Sequence, residues 1–374
     1  MNSDFPTYSF RLEFFDERAE IVRPYILQFF THNQEIELFD VKNKRAFLKK
    51  TNAHSLLLKD LFIGNKVLIN GRQYEVVDYS DDFTRNSFGL QMESTYAMIK
   101  PGFSQFLGEA IERIYQSQLT IANMKMGYLS QEVASKFYQE HKGKPFYDTL
   151  INYMTSGPVV GIEIIGKDAI QKWRRIIGPT NLETAKRDSP NSLRAKYAKS
   201  TTENFAHGSD SPQSSQRELG IIFRNNGIQL SCILEGTSLC IIKPHAVKSG
   251  FTGSIIKRLV ENEFQLTGVL QTTLDLPTSN EFLEVYRGVV EDYMDMASQM
   301  CSGPCIAIEV SKPNVFQELR TLCGPRDSLV AKKIRPGSLR AQFGTDVVLN
   351  AVHCTDLEED AELECEYFFV LLNQ

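Results

Sequence analysis

A histidine able to take up a proton or a phosphoryl group occurs twice in this chain in the same setting. His207 lies in Asn204-Phe205-Ala206-His207-Gly208-Ser209-Asp210, and His353 lies 146 residues on in Asn350-Ala351-Val352-His353-Cys354-Thr355-Asp356. Eleven residues after each comes a glutamate, Glu218 or Glu364, and thirteen residues before each an arginine, Arg194 or Arg340. A neutral imidazole is a competent nucleophile near pH 7 once its other ring nitrogen is held, which fixes tautomer and direction. Glu218 is the natural orienter, Ser209 can add a hydroxyl hydrogen bond, and Asp210 or Ser211 is placed to cap the following helix. Lys100, Arg174 and Arg194 could supply positive charge, Arg as a fixed fork and Lys as a movable point charge. Phosphoryl transfer depends on such charge around an in-line nucleophile, because its catalysis is mostly positioning and electrostatics.

Taken singly, each residue has a plainer reading. A lone His before Gly-Ser-Asp is usually a turn and a cap, Lys100-Pro101 a strand end, Arg174 a solvated helix face and Glu218 a surface residue. Repetition in register favours function. Ser156-Gly157-Pro158 matches Ser302-Gly303-Pro304, Arg174 matches Arg320, and Gly178-Pro179 matches Gly324-Pro325, all at the same spacing of 146. Ile99-Lys100-Pro101 matches Ile242-Lys243-Pro244 at 143. Two copies of this length suggest a pair of globular domains rather than a solenoid. Neither copy contains a GxxxxGK[ST] loop or a GxGxxG turn after a strand, so side chains must carry any phosphate binding.

The elements that must position these groups follow from hydrophobic spacing. Thr95–Lys100 reads as a strand ended by Pro101, Gly108–Tyr115 as a helix, Leu119–Lys125 as a strand and Gln131–His141 as a helix. Phe146–Met154 is helical and Val159–Ile165 a strand. Asp168–Ile177 is a helix closed by Gly178-Pro179, a C-cap glycine followed by a breaker. Pro179 to Ser192 reads as a long polar loop, and Ser211–Leu219 as a helix. In the second copy Thr278 and Glu281 form a candidate capping box, and Tyr367–Leu372 reads as a final strand. The order suggests an α+β fold of the split β-α-β type, with an antiparallel strand. Residues 1–93 lie outside the repeat; the runs Tyr8–Phe14, Tyr25–Phe30, Glu35–Asp40 and Lys66–Asn70, with turn signals such as Asn70-Gly71, suggest a small mostly β domain.

Composition narrows the class. The chain has 374 residues, 42% of them apolar, which is enough for two to three cored domains. A formal charge of −5 with no basic tract argues against nucleic acid as primary ligand. The seven acidic residues from Asp356 onward read as a solvated surface. No segment reaches membrane-spanning length and no signal-peptide h-region is evident. The seven cysteines are odd in number and all lie beyond residue 231, which fits a reducing, cytoplasmic compartment. Cys301 and Cys305 lack a second ligand pair and read as buried thiols.

With these residues in view, the repeats resemble the nucleoside diphosphate kinase family. The resemblance rests on Ile99-Lys100-Pro101, Lys144-Pro145-Phe146-Tyr147, Ser156-Gly157-Pro158 and the string His207-Gly208-Ser209-Asp210-Ser211. It implies two ferredoxin-like domains, at 94–226 and 238–374. It also implies ping-pong transfer of a γ-phosphate through His207 to a nucleoside diphosphate, with Mg²⁺ bound to the phosphates and no metal ligand from the protein. Position by position, it assigns catalysis to His207, Glu218 and Ser209. Phosphate or ribose contacts fall to Lys100, Arg174, Thr180 and Arg194. Tyr138 would sit beside the phosphates, Phe146 would stack on the base and Asn204 would touch the sugar. Stacking tolerates every base.

The second copy keeps Lys243, Tyr286, Arg320, Arg340, Asn350, His353 and Glu364, but aligns Met294 with Phe146, Arg326 with Thr180 and Cys354 with Gly208. Arg326 would either block nucleotide or replace a contact, and the expectation is a weaker or silent site. In the first copy Gly102 stands where the family has aspartate, and the Thr180–Arg194 stretch is longer and lacks the family's Asn-Pro-Ala-Asp run. An intrachain pseudo-dimer is therefore expected in place of the standard hexamer. The first 93 residues resemble a DM10 domain through Asp60-Leu61-Phe62-Ile63-Gly64, Gly71-Arg72-Gln73-Tyr74, Asp78-Tyr79 and Phe83-Thr84. That resemblance implies the cytoskeleton: the ciliary axoneme and its doublet microtubules, or γ-tubulin complexes of the basal body or centrosome. A structural microtubule-binding protein with little kinase activity is the alternative.

Overall fold

The computed structural model of the protein describes residues 5–16, 19–53, 56–89 and 92–373. The ends of the expected first and last domains, 1–4 and 374, lie outside them.

The N-terminal part is a six-stranded antiparallel sheet of β1 (Thr7–Asp16), β2 (Ile21–Phe30), β3 (Glu35–Asp40), β4 (Arg45–Asn52), β5 (Lys66–Ile69) and β6 (Arg72–Tyr79), in the order β4-β3-β2-β1-β6-β5. Alternation buries Phe10, Leu12, Leu27, Leu38, Val67 and Val76 on one face. Asn70 and Gly71, at φ 49° and 74°, form the two-residue β5–β6 turn, whose left-handed backbone suits Asn-Gly. β4 has no apolar alternation because it is an edge strand, and its lysines protect that edge.

The repeats share a nine-stranded sheet. The first contributes β7 (Glu93–Ile99), β8 (Thr120–Leu129), β9 (Val159–Gly166) and β10 (Ala206–Gly208), ordered β10-β7-β9-β8. A short β11 (Ile228–Leu230) pairs with β8. The second contributes β12 (Thr237–Ile242), β13 (Gln265–Thr272), β14 (Cys305–Ser311) and β15 (Val352–Cys354), ordered β13-β14-β12-β15. Within each repeat the third strand runs antiparallel between the first and second, and the fourth closes the outer edge, which is ferredoxin-like topology.

The sheets meet where Lys125 of β8 pairs with Leu270 of β13. The helices Leu107–Gln116 and Thr252–Glu261 cross at glycines: a Cβ on Gly108 would lie 2.7 Å from the Gly253 carbonyl oxygen, and one on Gly253 equally close to that of Gly108. Ile111, Ile114, Ile255, Ile256 and Leu259 extend one core through both repeats, and Ser254 donates to Glu112 at 2.8 Å. The two repeats thus pack against each other through one continuous core. The N-terminal sheet rests on the second repeat through the Asp60–Lys248 ion pair at 3.1 Å and a Gln73 side-chain bond to the Leu274 carbonyl at 2.9 Å. Among the described residues no helix is long and apolar enough to cross a membrane.

Three expectations are corrected. Residues Tyr367–Leu372 are not a strand: Ala361–Phe369 is a helix that buries Ala361, Cys365, Phe368 and Phe369, a helical spacing whose apolar end mimics a strand. Thr278 and Glu281 form no capping box. The cap is Asp275, one turn earlier, accepting from the Thr278 N–H at 2.9 Å, while Glu281 accepts from the Tyr367 hydroxyl. The supposed loop Pro179–Ser192 contains a helix, Leu182–Asp188, capped by Asn181.

Candidate active site

Short strand β10 carries His207 at the outer edge of the first repeat's half-sheet, and the helix Pro212–Leu219 carries Glu218 back beneath it. Ser211, not Asp210, caps that helix by accepting from the Ser214 N–H. The imidazole Nε2 lies 2.8 Å from Glu218 Oε2, and the Ser209 hydroxyl donates to the same oxygen at 2.8 Å. Glu218 is buried, while the His207 side chain keeps 22% of its surface exposed. A carboxylate can only accept, so Nε2 carries a proton, and in the neutral imidazole the lone pair is then on Nδ1. No hydrogen bond from a described residue engages that Nδ1. The His207 ring lies 5.1 Å from Phe137 and 6.2 Å from Tyr138, centroid to centroid.

The predicted cations gather here in different states. Lys100 is buried at the end of β7, its ammonium donating to the Thr202 carbonyl at 3.1 Å. Burial, aided by the nearby Arg194 charge, pulls its pKa down to about 7. Arg194 is buried with Nη1 on the Gly178 carbonyl at 2.6 Å and Nη2 on the Ala206 carbonyl at 2.7 Å, while its Nε has no partner. Burial and then Arg174 lower its pKa to about 10, so it stays cationic at neutral pH. Arg174 is exposed on the helix Ala169–Ile177, and its guanidinium makes no hydrogen bond to a described residue; Thr180 is exposed beside the Arg194 guanidinium at 3.4 Å.

Tyr138 Oη and Asn204 Oδ1, like Arg194 Nε, are buried without a partner among the described residues. The Asn204 amide donates to the Thr201 carbonyl at 2.8 Å. Phe146, 45% exposed, begins an aromatic path inward: His141 is 5.7 Å from it, Tyr138 stacks 6.1 Å from His141, and His207 follows. Sequence reasoning missed His141, Arg217 and Trp173. Arg217 pairs with Glu140 and lies 3.6 Å from Glu218 Oε1; Trp173 donates to the His207 carbonyl at 3.0 Å. Only position next to an identified element could have flagged them.

The second repeat keeps the dyad. His353 Nε2 lies 3.0 Å from Glu364 Oε2, with the Thr355 hydroxyl donating to that oxygen at 2.8 Å. Lys243 is buried, its pKa lowered by burial and by Arg340 to about 7, and it donates to the Val348 carbonyl. Arg340 binds the Gly324 and Val352 carbonyls, and Asn350 donates to the Arg326 carbonyl. Arg320, however, is engaged: it reaches the Asp356 carboxylate at 2.6 Å and the Thr355 and Asp356 carbonyls. The Tyr286 hydroxyl donates to the other Asp356 oxygen. Burial alone would raise the Asp356 pKa, but the bonds from Tyr286 and Arg320 overcome it and leave it lowered. Asp292, not Met294 as expected, stands where Phe146 does, each just before the equivalent helix, Tyr293–Met300 or Tyr147–Met154; Arg326 is tied to Asp292 at 2.6 Å, and His353 retains only 6% side-chain exposure.

No group of three or more His, Cys, Asp or Glu that could hold a metal is found among the described residues. A cavity of about 510 Å³ lies elsewhere, where the N-terminal sheet meets both repeats, lined by Ile63, Lys66, Glu163, Phe223 and Gln271.

The family model described as nucleoside diphosphate kinase matches residues 93–228 and again 236–372. A mouse (Mus musculus) protein, nucleoside diphosphate kinase homolog 7, is 41% identical over 372 residues, which cover 98% of this chain and 93% of that protein. A thioredoxin domain-containing protein 3 homolog from Heliocidaris crassispina is 33% identical over 280 residues, 74% of this chain and 32% of its own length. A nucleoside diphosphate kinase from Ignicoccus hospitalis is 44% identical over 151 residues, 40% of this chain and 97% of its own. The solved Aquifex aeolicus nucleoside diphosphate kinase is 37% identical, covers 37% of this chain and 99% of its own, and superposes with a TM-score of 0.35.

Proposed function

The chain belongs to the nucleoside diphosphate kinase family, and from that premise we propose that its first repeat transfers a γ-phosphate between nucleotides through His207. The observation that carries this reading is the His207 ring held at Nε2 by Glu218, with no described residue bonded to Nδ1 and with the unpartnered Tyr138 hydroxyl on the neighbouring ring. The Nδ1 lone pair attacks the γ-phosphorus, the P–O bond to the nucleoside diphosphate breaks, and the product leaves with that electron pair. In the second half-reaction a β-phosphate oxygen of a new diphosphate attacks the phosphohistidine, and the electron pair of the N–P bond returns to Nδ1. Glu218 steadies the charge that the ring gains on phosphorylation, and Ser209 fixes the carboxylate. Lys100, Arg174 and Arg194, with Thr180, would hold the phosphates; Tyr138 would donate its hydroxyl, Asn204 would meet the sugar and Phe146 the base. Mg²⁺ bound to the phosphates would offset part of their charge.

The second repeat differs at the cation that must face phosphate. Asp356 already occupies Arg320 and Tyr286 as a phosphate oxygen would, so this pocket is weak or silent. The decisive experiment is single-turnover transfer from γ-labelled ATP, comparing wild type with His207→Ala. Label on wild type and none on the variant is expected; an unlabelled wild type would overturn the reading.

A cytoskeletal role is compatible with this activity. Phe15 and Val22, directly opposed on β1 and β2, and Phe39 on β3 are exposed on the N-terminal sheet, which favours a partner there. Co-sedimentation with microtubules, wild type against Phe15→Glu, tests it; equal pelleting or equal failure to pellet removes this support.

A further inference from the structure

We propose that Trp173 is a positioning residue for His207, an inference that rests on the reading of the first site above. Trp173 is fully buried on the helix Ala169–Ile177, and its indole N–H donates to the His207 carbonyl at 3.0 Å. The neighbouring residue is shaped around it. A Cβ on Gly208 would lie 2.5 Å from Trp173 Cδ1 and 2.7 Å from Nε1, so no other residue fits there without displacing the indole.

The nucleophile needs this brace because of where it sits. β10 has three residues and, among the described residues, pairs only with β7, so one edge is open. The chain enters it through Phe205 at φ +78°, a backbone conformation that non-glycine residues rarely adopt. On the open edge Arg194 holds the Ala206 carbonyl. The next carbonyl, that of the nucleophile itself, turns back toward β7, as the Lys100–Phe205 and Ser209–Tyr96 bonds on either side require, and the indole adds a second tie to it from the helix. Attack at phosphorus requires Nδ1 within about 3–3.5 Å and in line, and small displacements of such a group are costly to rate.

The chain contains its own comparison. The residues 146 positions after Trp173 and Gly208 are Leu319 and Cys354. Leu319 has no donor for the His353 carbonyl, and Cys354 refills the space. Both halves of the brace are therefore lost together in the repeat whose phosphate-facing cation is already engaged.

Trp173 is the single tryptophan of the chain, so growth on 3-(benzothienyl)alanine replaces one indole N–H by sulfur and nothing else. We expect the replaced protein to keep its melting temperature. The rate of His207 phosphorylation by ATP should fall about five-fold, as suits one lost hydrogen bond, and the KM for ADP should stay within about twofold. Trp173→Phe should show the same split between kcat and KM with some added loss of stability. An unchanged rate in the sulfur analogue overturns the inference even if the Phe variant is slow, since packing alone would then explain Trp173. If wild type itself takes no label, the reading of His207 fails first, and this inference with it.

Discussion

The two histidine sites of this chain agree in the part that is buried and differ in the part that would meet a ligand. His207 and His353 each hold a glutamate at Nε2 and share it with a hydroxyl. Arg174 is exposed and makes no hydrogen bond to a described residue, whereas Arg320 lies against Asp356 and His353 is nearly enclosed. A hydrogen-bonded dyad can persist because breaking it would leave a buried carboxylate unsatisfied, whatever the site does. The readiness of the cations is a separate property, and it is the better guide to chemistry.

That contrast can be broken most directly by removing each nucleophile. His207→Ala should lower nucleoside diphosphate kinase activity by about 10³-fold or more, while His353→Ala leaves it within about twofold; steady-state rates with ATP and a second diphosphate decide it. Equal losses would mean that both sites work. The orienting carboxylates come next. Glu218→Gln should slow phosphohistidine formation by roughly 10²-fold with a small change in KM, and Glu364→Gln should not alter it. The third test sharpens the role of Asp356. In Asp356→Asn the amide cannot neutralise Arg320, and calorimetric titration with ADP should give two sites per chain where wild type gives one. One site in both proteins would show that something other than this carboxylate closes the pocket.

The smallest effect concerns pH. Lys100 has a folded pKa lowered to about 7, first by burial and then by Arg194. Below that pH it is charged in the free protein; above it, the neutral form prevails until a bound phosphate recharges it. Nucleotide binding should therefore take up close to one proton at about pH 8 and weaken up to about tenfold from about pH 6 to about pH 8. Buffers of different ionisation enthalpy measure the uptake, and Lys100→Arg should abolish it. The same lowered pKa makes burial of Lys100 unfavourable to folding below about pH 7. As pH rises from there toward the lysine's unfolded value, the unfolded state binds more protons and that destabilisation is relieved.

Much of this contrast was written in residue spacing, because regular elements carry local signatures. The strand at Val159–Ile165 and the helix closed by Gly178 have clear periods and caps, and the two-copy register located both dyads. The terminal helix was misread because Tyr367–Leu372 is apolar in an unbroken run, and such a run is ambiguous between a strand and the buried end of a helix. The choice made by Asp356 was harder. Asp210 and Asp356 are the same residue at matching positions of the two repeats, but Asp210 has hydroxyls beside it, bonding with Ser211 and Ser214. The matching positions in the second repeat are Leu357 and Asp360, so Asp356 finds its donors across the pocket instead. Sequence can name the missing hydroxyls, but only tertiary structure says which donors replace them. Trp173 lay beyond reach for the same reason, since nothing local ties an indole on one helix to a carbonyl on a distant strand.

The glycine crossing of Gly108 and Gly253 has a consequence for how such a protein lives in dilute solution. Two separate subunits part company when their concentration drops below their dissociation constant, and any property that depends on the pairing fades with them. Here the companion is tethered and cannot be diluted away. The half that bears His207 therefore keeps its neighbour at any abundance, and the neighbour is free to lose its own chemistry as long as it keeps its shape.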